Sequence, residues 1–343
     1  MPFLSTSAWL AITSIHLPGR RVAFAIGMTA ALCIVGTCSA QAEPGTYPSK
    51  PVRIVVPYPS GGFNDTLARI AAAKLSVAWK QPVIVDNKPG AGTAIGTQAA
   101  ATSPADGYTL LVVQFPFAAN PWLYKSLPYD SEKAFAPVVL AGLSPMLLVA
   151  YAGGPLHSLK DVLAAAKAKP GGLNYGSSGA GSSNHLAMAL FESLSGTRMT
   201  QVPYKGSTPL LTDLAGGQVD LAVDLVPNAL PFIQSGKVRP LAIAAAKRSP
   251  LMPDVPTAAE AGLPGYEASS WHGFVAPAGT PQPVIDKLNR DLNSVFAMDD
   301  VKKVFAQQGV VPAGGTPPQF RTFIDGQMKL WKKVVQDARI TAE

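Results

Sequence analysis

The residues best placed to do chemistry lie in two segments. Residues 54–65 read IVVPYPSGGFND and residues 173–185 read LNYGSSGAGSSNH. Each spells a short strand, a Gly/Ser turn and the start of a helix, and neither turn contains a lysine or an arginine. A helix begins with amide N–H groups that lack intrahelical acceptors and with a partial positive charge. A glycine-rich turn ahead of it lets an anion approach the backbone closely enough to use both. Gly61 and Gly62 precede one predicted helix, and Gly179, Ala180 and Gly181 the other. Ser60, Ser178, Ser182 and Ser183 add hydroxyl donors that suit carboxylate oxygens. Each helix start contributes about 0.3–1 kcal/mol when exposed and up to about 2 kcal/mol when partly buried. Two such starts with several neutral hydrogen bonds could hold a carboxylate without a cation. The competing reading is local: Ser and Asn cap helices, and glycine-rich turns often serve as connectors.

Other candidates also have two readings. Asp224 closes the strand VDLAVD, where strand ends face a cleft; it could accept from a ligand hydroxyl or amine, or make a structural hydrogen bond. His185 could donate to a carboxylate or extend the cap set by Ser182. Asp65 suits helix-dipole and capping support, and Lys205 suits a solvated loop. Catalysis lacks a constellation. GSSGA approaches the G-x-S-x-G nucleophile elbow, with Ala180 where the last glycine belongs, and the sole histidine after His185 is His272, in an apolar strand. GAGSSN lacks the third glycine of a dinucleotide loop, and no G-K-[ST] follows a strand. With three histidines and no cysteine beyond residue 42, the chain offers no metal cluster. The expectation is no enzyme, no metal and no cofactor, with a secreted hydrolase as a remote alternative.

The elements that must position these turns follow an N-terminal export pattern. Arg20 and Arg21 precede a mostly apolar run and the sequence Ala40-Gln41-Ala42, so residues 1–42 read as a secretory signal peptide. Cys33 and Cys38 both lie within it, and Cys38 raises a lipid anchor, although Thr37 is an unusual residue before a lipidated cysteine. Beyond it, 26 basic residues face 21 acidic ones, a net charge of +5. The basic residues are scattered rather than gathered in a stripe, which argues against a nucleic-acid partner. From Pro51 onward, apolar strands (VRIVVPY, PVIVDN, YTLLVV, VVLAGLSPMLLVAY) alternate with helical patterns. That alternation predicts parallel α/β sheets covered on both faces. Pro145 is expected to interrupt the longest strand. Two amphipathic stripes follow near the C-terminus: Val284, Leu288, Leu292 and Val295, then Phe320, Ile324, Trp331 and Val335, both at core-packing spacing.

Seven ordered segments carry a resemblance: YPSKPVRIVVPYPSGG, VIVDNKPGAGTAIG, DGYTLL, NYGSSGAGSSNHL, VPYKGSTPLLTDLAGGQVDL, AKRSPLMPDVPTAAEAGLPGYE and SSWHGFVAPAGTPQPVIDKLN. Together they resemble the Bug family of extracytoplasmic solute receptors, the binding proteins of tripartite tricarboxylate transporters. The resemblance implies a type II periplasmic binding-protein fold, with two α/β lobes around a ligand cleft. It places lobe 1 at residues 43–145 plus 272–343 and lobe 2 at 146–271, with strands crossing near 140–149 and 269–276. It also implies a ligand carboxylate held by Ser60, Gly61, Gly62, Phe63 and Asn64 on one side. On the other side it implies Ser178, Ala180, Gly181, Ser182, Ser183 and His185. The partners it implies are a small organic carboxylate and the permease subunits of such a transporter; the alternative is a sensor kinase. A periplasmic monomer is expected. The first loop departs from the family's usual P-G-G-P-T/S-D, and Phe115 and Phe117 replace a small polar stretch. With Phe63, these rings could stack on an aromatic acid or fill the core.

Overall fold

The computed structural model describes residues 47–342; the expected signal peptide and the Cys38 anchor lie outside the described residues. The first elements are β1 (Val52–Val56), α1 (Phe63–Trp79), β2 (Val83–Asn87), a 3₁₀ turn (Ala91–Thr93), α2 (Ala94–Ala101), β3 (Thr109–Gln114) and α3 (Phe115–Leu123). The long strand β4 (Phe135–Tyr151) follows, then α4 (Leu159–Ala168), β5 (Asn174–Ser177), α5 (Ser183–Ser195), β6 (Thr200–Pro203) and α6 (Ser207–Ala215). Next come β7 (Leu221–Leu225), α7 (Val226–Gln234), β8 (Val238–Ala244) and β9 (Ser269–Pro277). The chain closes with α8 (Gln282–Phe296), α9 (Asp299–Gln307), β10 (Val311–Pro312) and α10 (Pro317–Ala338).

The strands run in the order β2-β1-β3-β9-β4-β7-β5-β6, with β8 and β10 also paired to β4. The outer pairs β1–β2, β1–β3, β5–β6 and β5–β7 are parallel, as the alternation predicts. The centre departs from that prediction. β9 runs antiparallel to both β3 and β4, and β7 and β8 run antiparallel to β4. All these central strands are buried, so their continuous apolar runs conceal strand direction.

Pro145 does not break β4. The strand pairs with β9 up to Pro145, and from Met146 onward with β7 and β8. A residue without an N–H is tolerated where the ladder changes partners. This two-part α/β sheet, layered by helices, has the two-lobed character the resemblance implies.

The C-terminal stripes pack as expected. Leu288, Leu292 and Val295 are buried, as are Phe320, Ile324, Trp331 and Val335. The helix α10 opens with a capping box in which Thr316 and Gln319 bond reciprocally. It packs on α3, α5 and β4, whereas α8 packs on α1 and β4.

Candidate functional site

The first turn leaves β1 at Val56 and enters α1 through Gly62, an N-cap with no side-chain bond. Gly61 has a φ of 94°, a conformation open to glycine. Its N–H donates to Asp65 Oδ2 at 3.0 Å, which also accepts from Arg69 Nε at 2.9 Å, while Asn87 Nδ2 donates to Asp65 Oδ1 at 3.0 Å. The Arg69 hydrogen bond, with those from Gly61 and Asn87, holds the Asp65 carboxyl down at about 2 despite its burial. Ser60, Gly61 and Gly62 are exposed, and a Cβ added at either glycine would meet no atom within 4 Å.

Phe63 and Asn64 turn inward from the start of α1. The Phe63 ring meets His272 edge-on with centroids 4.6 Å apart, and Phe305 at 5.5 Å. Asn64 Oδ1 lies 2.7 Å from His272 Nδ1, and His272 Nε2 lies 3.1 Å from Ser144 Oγ. An amide oxygen accepts, so Nδ1 carries the proton and the Ser144 hydroxyl donates to Nε2. Burial depresses His272 to about 3 and keeps it neutral. The chain joins the start of α1 to both long strands, β9 and β4.

The second turn repeats the plan with different side chains. Gly179 and Gly181 have φ of 105° and 70°. Ser182 caps α5: its Oγ accepts from His185 N–H at 3.3 Å and donates to Gly179 O at 2.7 Å. Gly181 N–H donates to His185 Nδ1 at 3.1 Å. That bond puts the imidazole proton on Nε2, and burial lowers the His185 pKa. In both turns, then, a glycine amide is held by an acceptor four residues downstream. The shared spacing, Gly-x-x-x-Asp and Gly-x-x-x-His, was present in the sequence but hidden by the unlike acceptors.

Deeper in the same half, Ser178 Oγ and Asp224 Oδ2 are buried with no hydrogen-bond partner. Both follow the β5–β7 pair Gly176–Ala222 by two residues. Asp224 is 1% exposed; its Oδ1 accepts from Leu225 N–H at 2.7 Å and Asn228 Nδ2 at 2.9 Å. Burial pushes its pKa up, against the hydrogen bonds it accepts from Asn228 and Leu225.

A cavity of about 580 Å³ runs between the end of β1 and the second turn. Pro57, Tyr58 and Pro59 line it just ahead of Ser60; Ala180, Gly181 and Ser182 line it from the second turn. The other walls are the turn at Gly90, Gly92 and Thr93, the α3 face of Pro116, Asn120, Leu123 and Tyr124, and Ala342. None of the lining residues is cationic. The sequence reading assigns no role to the 89–93 turn or to Ala342, and in α3 it singles out Phe115 and Phe117 rather than the face of Pro116, Asn120, Leu123 and Tyr124 that lines the cavity; the motif VIVDNKPGAGTAIG is the signal for the 89–93 turn. Asn120 Nδ2 holds that turn by donating to Gly92 O at 2.7 Å.

Ser60, Gly61, Gly62, Phe63, Asn64, Ser178, Ser183, His185 and Asp224 are not among the cavity-lining residues. Phe115 is 4% exposed, edge-on to Trp331 at 4.8 Å, and Phe117 meets Phe135 at 5.5 Å. These rings fill the core, the second of the two roles the sequence allowed. Among the described residues no group of His, Cys, Asp and Glu could hold a metal, and no helix is long and apolar enough to cross a membrane.

Known proteins are similar to this chain in sequence and fold. The profile of the family described as "Tripartite tricarboxylate transporter family receptor" matches residues 67–340. Protein BugT of Bordetella pertussis is 39% identical over 320 residues, which cover 91% of this chain and 98% of BugT. Among solved structures, Rpa4515 of R. palustris with adipate has a TM-score of 0.73 and 38% identity, covering 86% of this chain and 99% of its own. MatC from Rhodopseudomonas palustris with bound malate has a TM-score of 0.69 and 34% identity, covering 84% and 100%. The likeness to Bug receptors carried by the seven sequence motifs is borne out.

Proposed function

The chain belongs to the tripartite tricarboxylate transporter receptor family, and from that premise we propose that it is a periplasmic receptor that traps one small organic carboxylate between two lobes. The observation that carries this reading is one cavity walled by Pro57, Tyr58 and Pro59, just ahead of the first glycine-rich turn, and by Ala180, Gly181 and Ser182 of the second, with no lysine or arginine in its lining. Neutral main-chain donors then supply the positive potential. The Gly61 and Gly181 amides already have acceptors. The first-turn amides of α1 and α5, at Phe63, Asn64, Ser183 and Asn184, lack intrahelical acceptors by position and are the donors we assign to the guest. Ser60 and Ser178 stand beside them as hydroxyl donors, whereas the Ser182 hydroxyl already donates to Gly179 O.

The lobes we assign are residues 43–145 plus 272–343 and residues 146–271. The exchange of partners by β4 between Pro145 and Met146 supports that boundary. Relatives solved with adipate and malate support an aliphatic acid. An aromatic guest draws no support from Phe115 and Phe117, whose rings pack in the core. Delivery to permease subunits is the role the family description supports.

A thermal-shift screen tests the reading with aliphatic mono-, di- and tricarboxylates, acidic amino acids and aromatic acids. A ligand at 100 times its Kd adds about 2.7 kcal/mol of stability and raises Tm. Stabilisation by sugars or cations with none by any carboxylate would overturn the proposal.

A further inference from the structure

Beyond α10 the chain turns back on itself. Arg339 takes a φ of 54°, and Ile340 is buried with its N–H donating to Val335 O at 3.0 Å. Ala342 N–H then donates to Leu123 O, the end of α3, at 3.1 Å. This places the Ala342 side chain against the second turn. A Cβ built on Gly181 would lie 3.3 Å from Leu123 Cδ1 and 3.5 Å from Ala342 Cβ. All three residues line the cavity described above.

Building on the carboxylate-receptor reading, we propose that Ala342 and Leu123 form the end wall of the ligand cavity beside the Gly181 turn and set the length of acid it accepts. The α3 helix, the second turn and the tail meet at this one place, and a hydrogen bond anchors the tail there. The wall has an apolar surface, so it selects by volume. A guest whose carboxylate sits at the Gly181 turn must run its carbon chain along the wall. A small residue at 342 leaves room for the longer chains; a bulky one removes it.

The test is calorimetric titration of the whole chain with two straight-chain series, succinate to suberate and propionate to octanoate. Wild type, Ala342→Phe, Ala342→Asp and Ala342→Asn are compared. Ala342 is half-exposed, and Tm without ligand checks that each variant folds. Ala342→Phe should weaken the longest acid that wild type binds by about tenfold or more relative to the shortest, since a methylene's worth of pocket volume discriminates on that scale. Ala342→Asp should weaken every bound acid by about tenfold relative to Ala342→Asn, because a carboxylate then faces a carboxylate at short range. An unchanged length preference in Ala342→Phe, or equal affinities for the Asp and Asn variants, overturns the wall while leaving the receptor reading intact. Failure of wild type to bind any acid in either series overturns the wall; the receptor reading falls with it only if the thermal-shift screen also finds no carboxylate that stabilises the chain.

Discussion

The Gly61 and Gly181 N–H groups donate hydrogen bonds to Asp65 and His185, and in doing so fix the two turns whose other amides we assign to the guest. A carboxylate that met these turns unheld would have to order them first, at about 1–2 kcal/mol for each residue fixed. The locks therefore belong to preorganisation rather than to contact. Gly62 is the cleaner probe of contact. Its φ of −81° suits any residue, and a Cβ there meets open space, so Gly62→Val introduces neither strain nor clash. The expected outcome is a urea midpoint within about 0.5 kcal/mol of wild type and a loss of ligand affinity of roughly tenfold or more, the worth of a hydrogen bond to a charged group. Unchanged affinity with unchanged stability would mark the first turn as a mere connector. Serine and glycine content made the turns legible in the sequence. The pairing of each glycine with its acceptor was not, because an acid and an imidazole share a role here that composition keeps apart.

At the scale of elements, the helix α1 is tied to the long strands through Asn64, His272 and Ser144. Movement of β4 against β9 therefore reaches the first turn directly. His272 titrates near 6.5 in an unfolded chain and at about 3 in the folded one. The unfolded state thus takes up the proton first, and the contribution is whole above about pH 6.5. It falls as the pH drops toward 3, by about 1.4 kcal/mol for each unit. Urea midpoints measured from pH 7 to pH 4 should fall more steeply for wild type than for His272→Gln, and equal slopes would contradict a buried neutral imidazole. Helix α3 shows why some elements escaped the sequence. FPFAANPWL carries two prolines and no polar face, yet it forms a helix because Pro116 sits in the first turn and Phe115, Phe117 and Leu123 all have core to fill. Periodicity finds amphipathic helices such as α8, not helices enclosed on most sides.

For the molecule as a whole, α10 matters more than its place at the end of the chain suggests. Its buried face joins one apolar cluster that includes Phe115 and Leu123 of α3, Phe191 of α5 and Leu148 of β4. The tail helices were expected to return to the first lobe; α8 lies against α1 there, while α10 touches both α3 and α5. Trp331, 2% exposed and stacked edge-on to Phe115, sits near the middle of that contact. Trp331→Ala should cost about 3–5 kcal/mol of unfolding free energy, read from the urea midpoint. A loss below about 1 kcal/mol, the range of surface substitutions, would mean that α10 only decorates the core.

What the sequence determined alone is local and chemical. The two glycine-rich helix starts and the apolar stripes of α8 and α10 both come from residue types at fixed spacing. Hydrogen-bond geometry and helical periodicity act over a few residues, so they can be read in one dimension. Tertiary structure alone decided which residues share a cavity. It brought Pro57, Gly181, Leu123 and Ala342 to one cavity, turned Phe115 into the core and let β4 pass through Pro145 between two sets of partners. These outcomes depend on burial and strand pairing between segments far apart in the chain, and apolar residues that fill a core look the same in sequence as those that line a pocket.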